Sequence, residues 1–573
     1  MAADIHESLE TGAAGKRRWL PFLLIIAASA LAHLWCLGSQ FYMDDMVQIR
    51  DSEVVRNGEF WASLSNSWTL LGYVIQYKLF GSSPVGFHAV NWLLHTAVAC
   101  VLFAFGRDFL RGRMPEGVAL FGALLFVVHP LASEIPNYTR TQDLAWVTLF
   151  SLLASWAMLL FLREGGWIKL LWVALGIVGA TISKGPGFFH AVMMVGAVGL
   201  AFMTAEHWRL VKQRAWWLVG LILAGVALFW ITHPGWYSTT RLWSEPRFIG
   251  HAYTLARVFW EFAWRAVIPV ALSSDHHTAE SLVPPGSGWF DIPDKTAMWA
   301  AAAMLSLTAV SLVLAWRRPT RLFGVCLFLF VATILFRVTY LIPEFMPEYR
   351  IYPGMPWFCL GAAIFLGWAW RSLLGDISPK VPVVLLISLF AFMSARRSFL
   401  WHDLDRLTAD ILKQYPAQAR ALWELHDRDI AAEDWQKVID RQRNEWPGVF
   451  ENFLKENQRL APRRELPSGH FALADVACQG RYAIALAHAE SPAAGLAEIR
   501  RLEMKMHALG MDPVKHRLQW GYFHAAKAAV LEEAGAYQQA LDEMRVEGVS
   551  KIKPSDIERV EKKLAAKNAA QPQ

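Results

Sequence analysis

From residue 19 to about residue 400, long apolar runs alternate with short charged stretches. Each run holds about 17–23 mostly apolar residues, enough for a helix to cross roughly 30 Å of hydrocarbon. The runs fall at 19–38, 85–106, 117–133, 144–162, 167–183, 187–204, 215–232, 297–316, 322–342, 355–371 and 381–396, which predicts about eleven crossings. A weaker stretch, 254–272, carries Arg257, Glu261 and Arg265 at helical spacing and reads as an amphipathic helix lying in the interface. Beyond residue 402 no such run occurs, and the pattern becomes one of paired amphipathic helices. Segments 417–431 and 434–444 make one hairpin; 514–534 and 537–545, joined through Gly535, make another. In the second, Ala528, Leu531, Gly535, Tyr537 and Ala540 fall near the small and aromatic positions of a TPR unit, without a sustained repeat of about 34 residues.

The expected fold is therefore all-α: a polytopic membrane protein of about 11 transmembrane helices with a C-terminal helical-hairpin, TPR-like soluble domain. Its parts are a cytoplasmic segment 1–18, a transmembrane domain 19–400 with outer loops 39–84 and 233–295, a helical domain 401–565, and a frayed end 566–573. The first apolar run is too long for a signal peptide and no A-x-A-like site follows, so it reads as an uncleaved span.

Composition agrees. Of 573 residues, 55% are hydrophobic, too many for a soluble protein of this length. The net charge of +6 comes from Lys and Arg scattered between spans, not from the single basic patch of a nucleic-acid binder. The five cysteines support neither a disulfide framework nor a zinc site. Basic residues occupy alternate loops, from Lys16-Arg17-Arg18 to Arg371 and Lys380, and the positive-inside rule puts those loops in the cytoplasm. The intervening loops and, after an odd number of spans, the tail then lie on the outer side.

Charged residues recur at that outer edge, where desolvation makes them costly and marks them as functional candidates. Asp44 and Asp45 follow the first span. His129-Pro130 and Glu134 follow the third, with Arg140 and Asp143 behind them. Ser183-Lys184 closes the fifth, and Glu348-Tyr349-Arg350-Ile351-Tyr352-Pro353 follows the ninth. This set suits transfer from a lipid-linked, phosphate-bearing donor: Arg and Lys hold a phosphate, and a carboxylate takes a proton from the acceptor hydroxyl. Plainer readings stand beside it. Arg140 and Asp143 form a simple loop pair; Lys184 snorkels; Glu348 and Arg350 form a structural ion pair. In the second span, His88, Asn91 and His95 share a face and serve as interhelical hydrogen-bond glue or, less commonly, as metal ligands.

On Tyr42-Met43-Asp44-Asp45, Gly86 to His95, Val128-His129-Pro130 with Glu134, Ser183-Lys184 and Glu348 to Pro353, the chain resembles the GT-C glycosyltransferases. The likeness is greatest to the TPR-tailed O-mannosyltransferase-like proteins and their bacterial relatives. The resemblance implies catalysis by Asp44 or Asp45, and a donor phosphate held by Arg140, Lys184 and Arg350. His129, Glu134, Glu348, Tyr352 and His88 would line the cavity. It further implies an inverting, polyprenyl-phosphate-dependent transferase of a bacterial inner membrane, with no cofactor and no metal site, although some relatives use a divalent ion at a similar loop. The acceptor would be a hydroxyl of a periplasmic protein, such as a pilin-like subunit, or of a glycan, docked by the tail. Ser67-Trp68 and Gly185 depart from the family's Arg-Pro and post-lysine acid. Two rivals remain. An oligosaccharide ligase or polymerase of O-antigen type would place its chemistry at Arg241 and His276, in the 234–295 loop. A lipid-linked sugar transporter would place charges at mid-depth.

Overall fold

The computed structural model describes residues 19–66, 68–207, 246–276, 295–335, 346–375, 377–460, 469–513, 516–546 and 554–570, together with Arg209, Arg337 and Ile552. The predicted span at 215–232 and parts of the 233–295 loop, including Arg241 and His277, lie outside them. All regular structure among the described residues is helical. The chain divides into two compact units, residues 1–274 with 280–404, and residues 275–279 with 405–573.

The first unit contains α1 (Trp19–Gly38), α2 (Trp68–Phe80), α3 (Pro84–Leu110), α4 (Glu116–Val127), α5 (Gln142–Glu164), α6 (Trp167–Ser183) and α7 (Gly187–Phe202). It continues with α8 (Pro246–Val267), α9 (Lys295–Trp316), α10 (Arg321–Leu335), α11 (Met355–Leu374) and α12 (Lys380–Leu400). Among the described residues six helical stretches are long and apolar enough to cross a membrane, or seven if the bent pair Glu116–Val127 and Pro130–Asn137 is one span. Three further apolar helices, α6, α7 and α10, are shorter. The protein is thus an all-α, polytopic membrane protein. The expected interfacial helix is α8, which buries Leu255, Phe259 and Phe262 in the same core as α3 and α4 and keeps Glu261 and Trp264 exposed.

Local chemistry sets the breaks. Pro84 opens α3 at a position whose N–H has no helical partner anyway, and Gly165, with φ of 71°, ends α5. Small residues let α5 and α6 approach closely: a Cβ on Gly176 would fall 2.7 Å from the Ala154 methyl. The 55° bend after α4 arises at His129-Pro130, where the proline cannot continue the helical ladder. The carbonyl freed at Val127 accepts from His33 Nε2 at 2.8 Å and His95 Nε2 at 3.1 Å, and that of Val128 accepts from Ser394 Oγ at 2.9 Å. In hydrocarbon these partners are what make the break tolerable.

The second unit is a series of helical hairpins. Its helices are α13 (Leu404–Gln414), α14 (Ala419–Ala431), α15 (Trp435–Asn444), α16 (Trp446–Leu460), α17 (Gly469–Ala489), α18 (Pro492–Ala508), α19 (Arg517–Glu533), α20 (Tyr537–Met544) and α21 (Pro554–Ala569). Caps define the hairpins: Asp434 accepts from Lys437 N–H at the start of α15, and Ser491 from Ala494 N–H at the start of α18. The two expected hairpins are present as α14–α15 and α19–α20, with Gly535 left-handed between the latter. The α17–α18 hairpin lies between them. Val560 and Leu564 of α21 pack on Leu541 and Met544, so that helix runs past the expected boundary at 565.

Candidate active site

The acidic turn is built on a left-handed residue. Met43 has φ of 48°, a conformation that costs a non-glycine residue energy and is held only by its surroundings. The turn closes through Asp45 N–H to the Tyr42 carbonyl at 3.0 Å and Met46 N–H to that of Met43 at 3.1 Å. Its geometry points the two aspartates differently. Asp45 is fully buried, and its carboxylate accepts the backbone N–H of Arg140 at 2.6 Å, of Thr139 at 3.3 Å and of Tyr42 at 3.4 Å. It is a clamp between the turn and the 138–140 segment. Burial pushes its carboxyl up to about 7, against the pull of those N–H donors. Asp44 is half-buried, within electrostatic reach of the Arg140 guanidinium, and its N–H donates to Tyr138 Oη at 3.3 Å.

The 134–140 segment is fixed by the second span. His88 Nδ1 donates to the Pro136 carbonyl at 3.0 Å, and Asn91 Nδ2 to Ile135 at 2.8 Å and Tyr138 at 3.1 Å. Gln142 Nε2 donates to Asn91 Oδ1 at 2.8 Å, and Gln76 Nε2 to Gln142 Oε1 at 3.0 Å. This buried amide chain runs from α2 through α5 to α3. His95 completes the face, its Nδ1 accepting from Tyr352 Oη at 2.9 Å. The three residues at helical spacing are hydrogen-bond glue, and among the described residues no group of three or more His, Cys, Asp or Glu side chains is placed to hold a metal ion.

Two of the expected phosphate-binding cations meet. Asp143 Oδ2 receives Arg140 Nη1 at 2.9 Å and Lys184 Nζ at 2.8 Å. The carboxylate is buried, and the Arg140 and Lys184 side chains are 29% and 33% exposed. Lys184 is held there because α6 ends at Ser183, whose carbonyl accepts from Thr69 Oγ1 at 3.1 Å, and α7 starts at once. The restart needs glycine: a Cβ on Gly187 would fall 2.0 Å from the Ala180 carbonyl oxygen. Arg350 comes near enough to Lys184 to repel it, and its guanidinium lies over the Tyr349 ring, 5.9 Å from the centroid.

The residues expected to line the cavity are fully or almost fully buried. His129 Nε2 donates to the Ala266 carbonyl at 2.9 Å, and its Nδ1 accepts Leu131 N–H at 3.2 Å. Glu134 accepts Tyr349 N–H at 2.7 Å. Glu348 accepts Ser273 N–H at 2.8 Å and forms an ion pair with Arg397 of α12, not with Arg350. These contacts, like that of His88 with the Pro136 carbonyl, hold neighbouring backbone in place, whereas Tyr352 holds the His95 ring. Sequence reasoning passed over Asn91, Gln142 and Gln76 as a connected chain; the only signal was three amides in otherwise apolar helices.

No family model matches the chain. Over 461 aligned residues, 74% of this chain, it is 26% identical to Protein O-mannosyl-transferase F38B6.6 of Caenorhabditis elegans. Shorter matches are 31% identical over 131 residues to Protein O-mannosyl-transferase TMTC1 of Mus musculus and 33% over 104 residues to Protein O-mannosyl-transferase Tmtc1 of Drosophila melanogaster. They cover 19% and 16% of this chain and 14% and 12% of those relatives. The chain spans 62% of the length of the worm relative. A polytopic helical chain with a charged cluster beside an acidic turn is thus similar in sequence to protein O-mannosyl-transferases.

Proposed function

We propose that this protein is a membrane glycosyltransferase that moves a sugar from a polyprenyl-phosphate donor to a hydroxyl group of a protein. The observation that carries the reading is the pair of cations, Arg140 and Lys184, gathered on one buried carboxylate beside the Asp44–Asp45 turn. In this reading Asp44 takes the proton of the acceptor hydroxyl, whose oxygen attacks the anomeric carbon from the face opposite the phosphate. The anomeric C–O bond breaks, the configuration inverts, and the polyprenyl phosphate leaves with its charge on Arg140 and Lys184, and on Arg350 nearby. Asp45 acts through the backbone by locking the turn to the Arg140 segment. The names of the relatives support a protein acceptor and mannose as the sugar. Charge asymmetry supports an inner-membrane orientation with the site and the helical tail on the periplasmic side. The TPR-like unit is a suitable dock for the acceptor.

The test is reconstitution of the purified protein with polyprenyl-phosphate mannose and envelope proteins of the source cell, read by intact mass. An added hexose on a protein is the expected result. Products made only by joining lipid-linked oligosaccharides would favour the ligase, and movement of the donor across the bilayer without transfer would favour the transporter.

A further inference from the structure

The end of α12 is bound to the acidic turn by more contacts than chain continuity requires. The Trp401 ring stacks on Tyr138, with centroids 5.8 Å apart and planes at 25°, and stands edge-on to Tyr42 at 5.4 Å. Tyr138 is the residue whose hydroxyl receives Asp44 N–H, and Tyr42 is the first residue of the turn. The Trp401 carbonyl accepts Gln40 N–H at 3.1 Å. On either side of it, Phe399 packs on Trp35 at 4.9 Å and His402 Nε2 lies 2.6 Å from the Trp35 carbonyl. The His402 ring closes over Gly38 so tightly that a Cβ there would fall 2.7 Å from it. Trp401 itself is 3% exposed, a large side chain placed between the two rings that flank Asp44.

We propose that Trp401 is a positioning residue that orders the Met43–Asp45 turn through Tyr138 and Tyr42, and so sets where the Asp44 carboxylate stands. The proposal rests on the glycosyltransferase reading for its catalytic consequence and on contacts alone for its structural one. Met43 in its left-handed state has no intrinsic preference to stay there, so the turn needs outside support. The Asp45 clamp supplies it from below and the aromatic stack from the side. A residue at the end of the last span thus fixes a turn near the start of the chain.

The test compares wild type, Trp401→Leu and Trp401→Phe in nanodiscs, by hydrogen exchange and by transfer kinetics. Trp401→Leu removes both ring contacts, and Trp401→Phe keeps part of each. The expected result is exchange at least tenfold faster across residues 40–46 in Trp401→Leu, with the α3 peptides unchanged and Trp401→Phe between the two. Transfer by Trp401→Leu should fall about 10–100-fold in kcat with donor KM within about threefold, since misplacing a reacting group by about an ångström is enough for that loss. Trp401→Phe should restore most of it. Unchanged exchange at 40–46, or exchange raised equally in α3 and in both variants, overturns the proposal. If wild type transfers no sugar, the glycosyltransferase reading fails, and the exchange result still decides whether Trp401 orders the turn.

Discussion

Both units bury charge, and they do so on opposite terms. In the tail, Asp405 and Asp429 are shared by Arg428 and Arg441: Arg428 reaches Asp405 at 2.7 Å and Asp429 at 2.5 Å, while Arg441 reaches them at 2.7 and 2.8 Å. Arg441 also reaches Glu445 at 3.1 Å and Lys437 stands 3.8 Å from Asp429, so three acids meet three cations, and this balanced cluster joins α13, α14 and α15. At the membrane edge Arg140 and Lys184, about as exposed as Arg428, share the one Asp143 carboxylate, with Arg350 close to Lys184. A charge-balanced cluster is architecture. One with cation in excess offers a place for an anion.

The two regions also respond oppositely to pH. Burial raises the Asp45 carboxyl to about 7, so the folded state holds this proton more tightly than the unfolded chain. Its contribution to stability therefore declines as pH rises from about 4 to 7 and is level above that. In the tail, burial lowers the His426 imidazole to about 3, so here the unfolded chain is the better base. That contribution is lost as pH falls from about 6.5 towards 3.

The largest expected effect breaks the comparison on the catalytic side. Asp44→Asn should lower transfer by about 10²–10⁴-fold, the usual worth of a general base, with thermal stability unchanged in a scan of the purified protein. Next come the cations. Arg140→Ala and Lys184→Ala should each weaken the donor, by about 10–100-fold in kcat/KM, as expected for loss of a charge-assisted hydrogen bond of about 1.5–3 kcal/mol. Because both lean on Asp143, the double variant should lose less than the sum of the two free energies. In the tail, Arg441→Ala should destabilise the helical unit by about 1.5–3 kcal/mol in chemical denaturation, since Asp429 loses one charged hydrogen bond but keeps Arg428, and should leave kcat untouched. The smallest effects are the pH slopes. Asp45→Asn should flatten the decline of membrane-unit stability between about pH 4 and 7, and His426→Leu the acid loss of the tail, both read as Tm against pH.

Much of this was legible in the chain. The apolar runs marked the helices because a bilayer imposes one length and one composition, and Gly535 with its flanking periodicity marked a tail hairpin. The α17–α18 hairpin escaped because its Ala-rich helices carry little contrast between faces. At the site, sequence could say that Asp44, Asp45, Arg140 and Lys184 stand at span ends. It could not say that Met43 turns left-handed and so sends the two carboxylates apart. Nor could it tell a charge gathered into a cluster from one that caps backbone: Glu134 and Glu348 sit at the same edge as Arg140, yet accept Tyr349 and Ser273 N–H groups. Which neighbour satisfies a buried carboxylate is settled by elements far apart in the chain, as Tyr349 with Glu134, 215 residues away, shows.

The central claim, that the Arg140–Lys184 cluster holds the donor's phosphate while Asp44 performs the transfer, meets its most direct test in one paired measurement. Asp44→Asn in nanodiscs would be assayed for binding of polyprenyl-phosphate mannose and, in the same preparation, for mannose added to an acceptor protein. The account predicts donor affinity within about threefold of wild type and transfer reduced by at least about a hundredfold. Full transfer by this variant would contradict it.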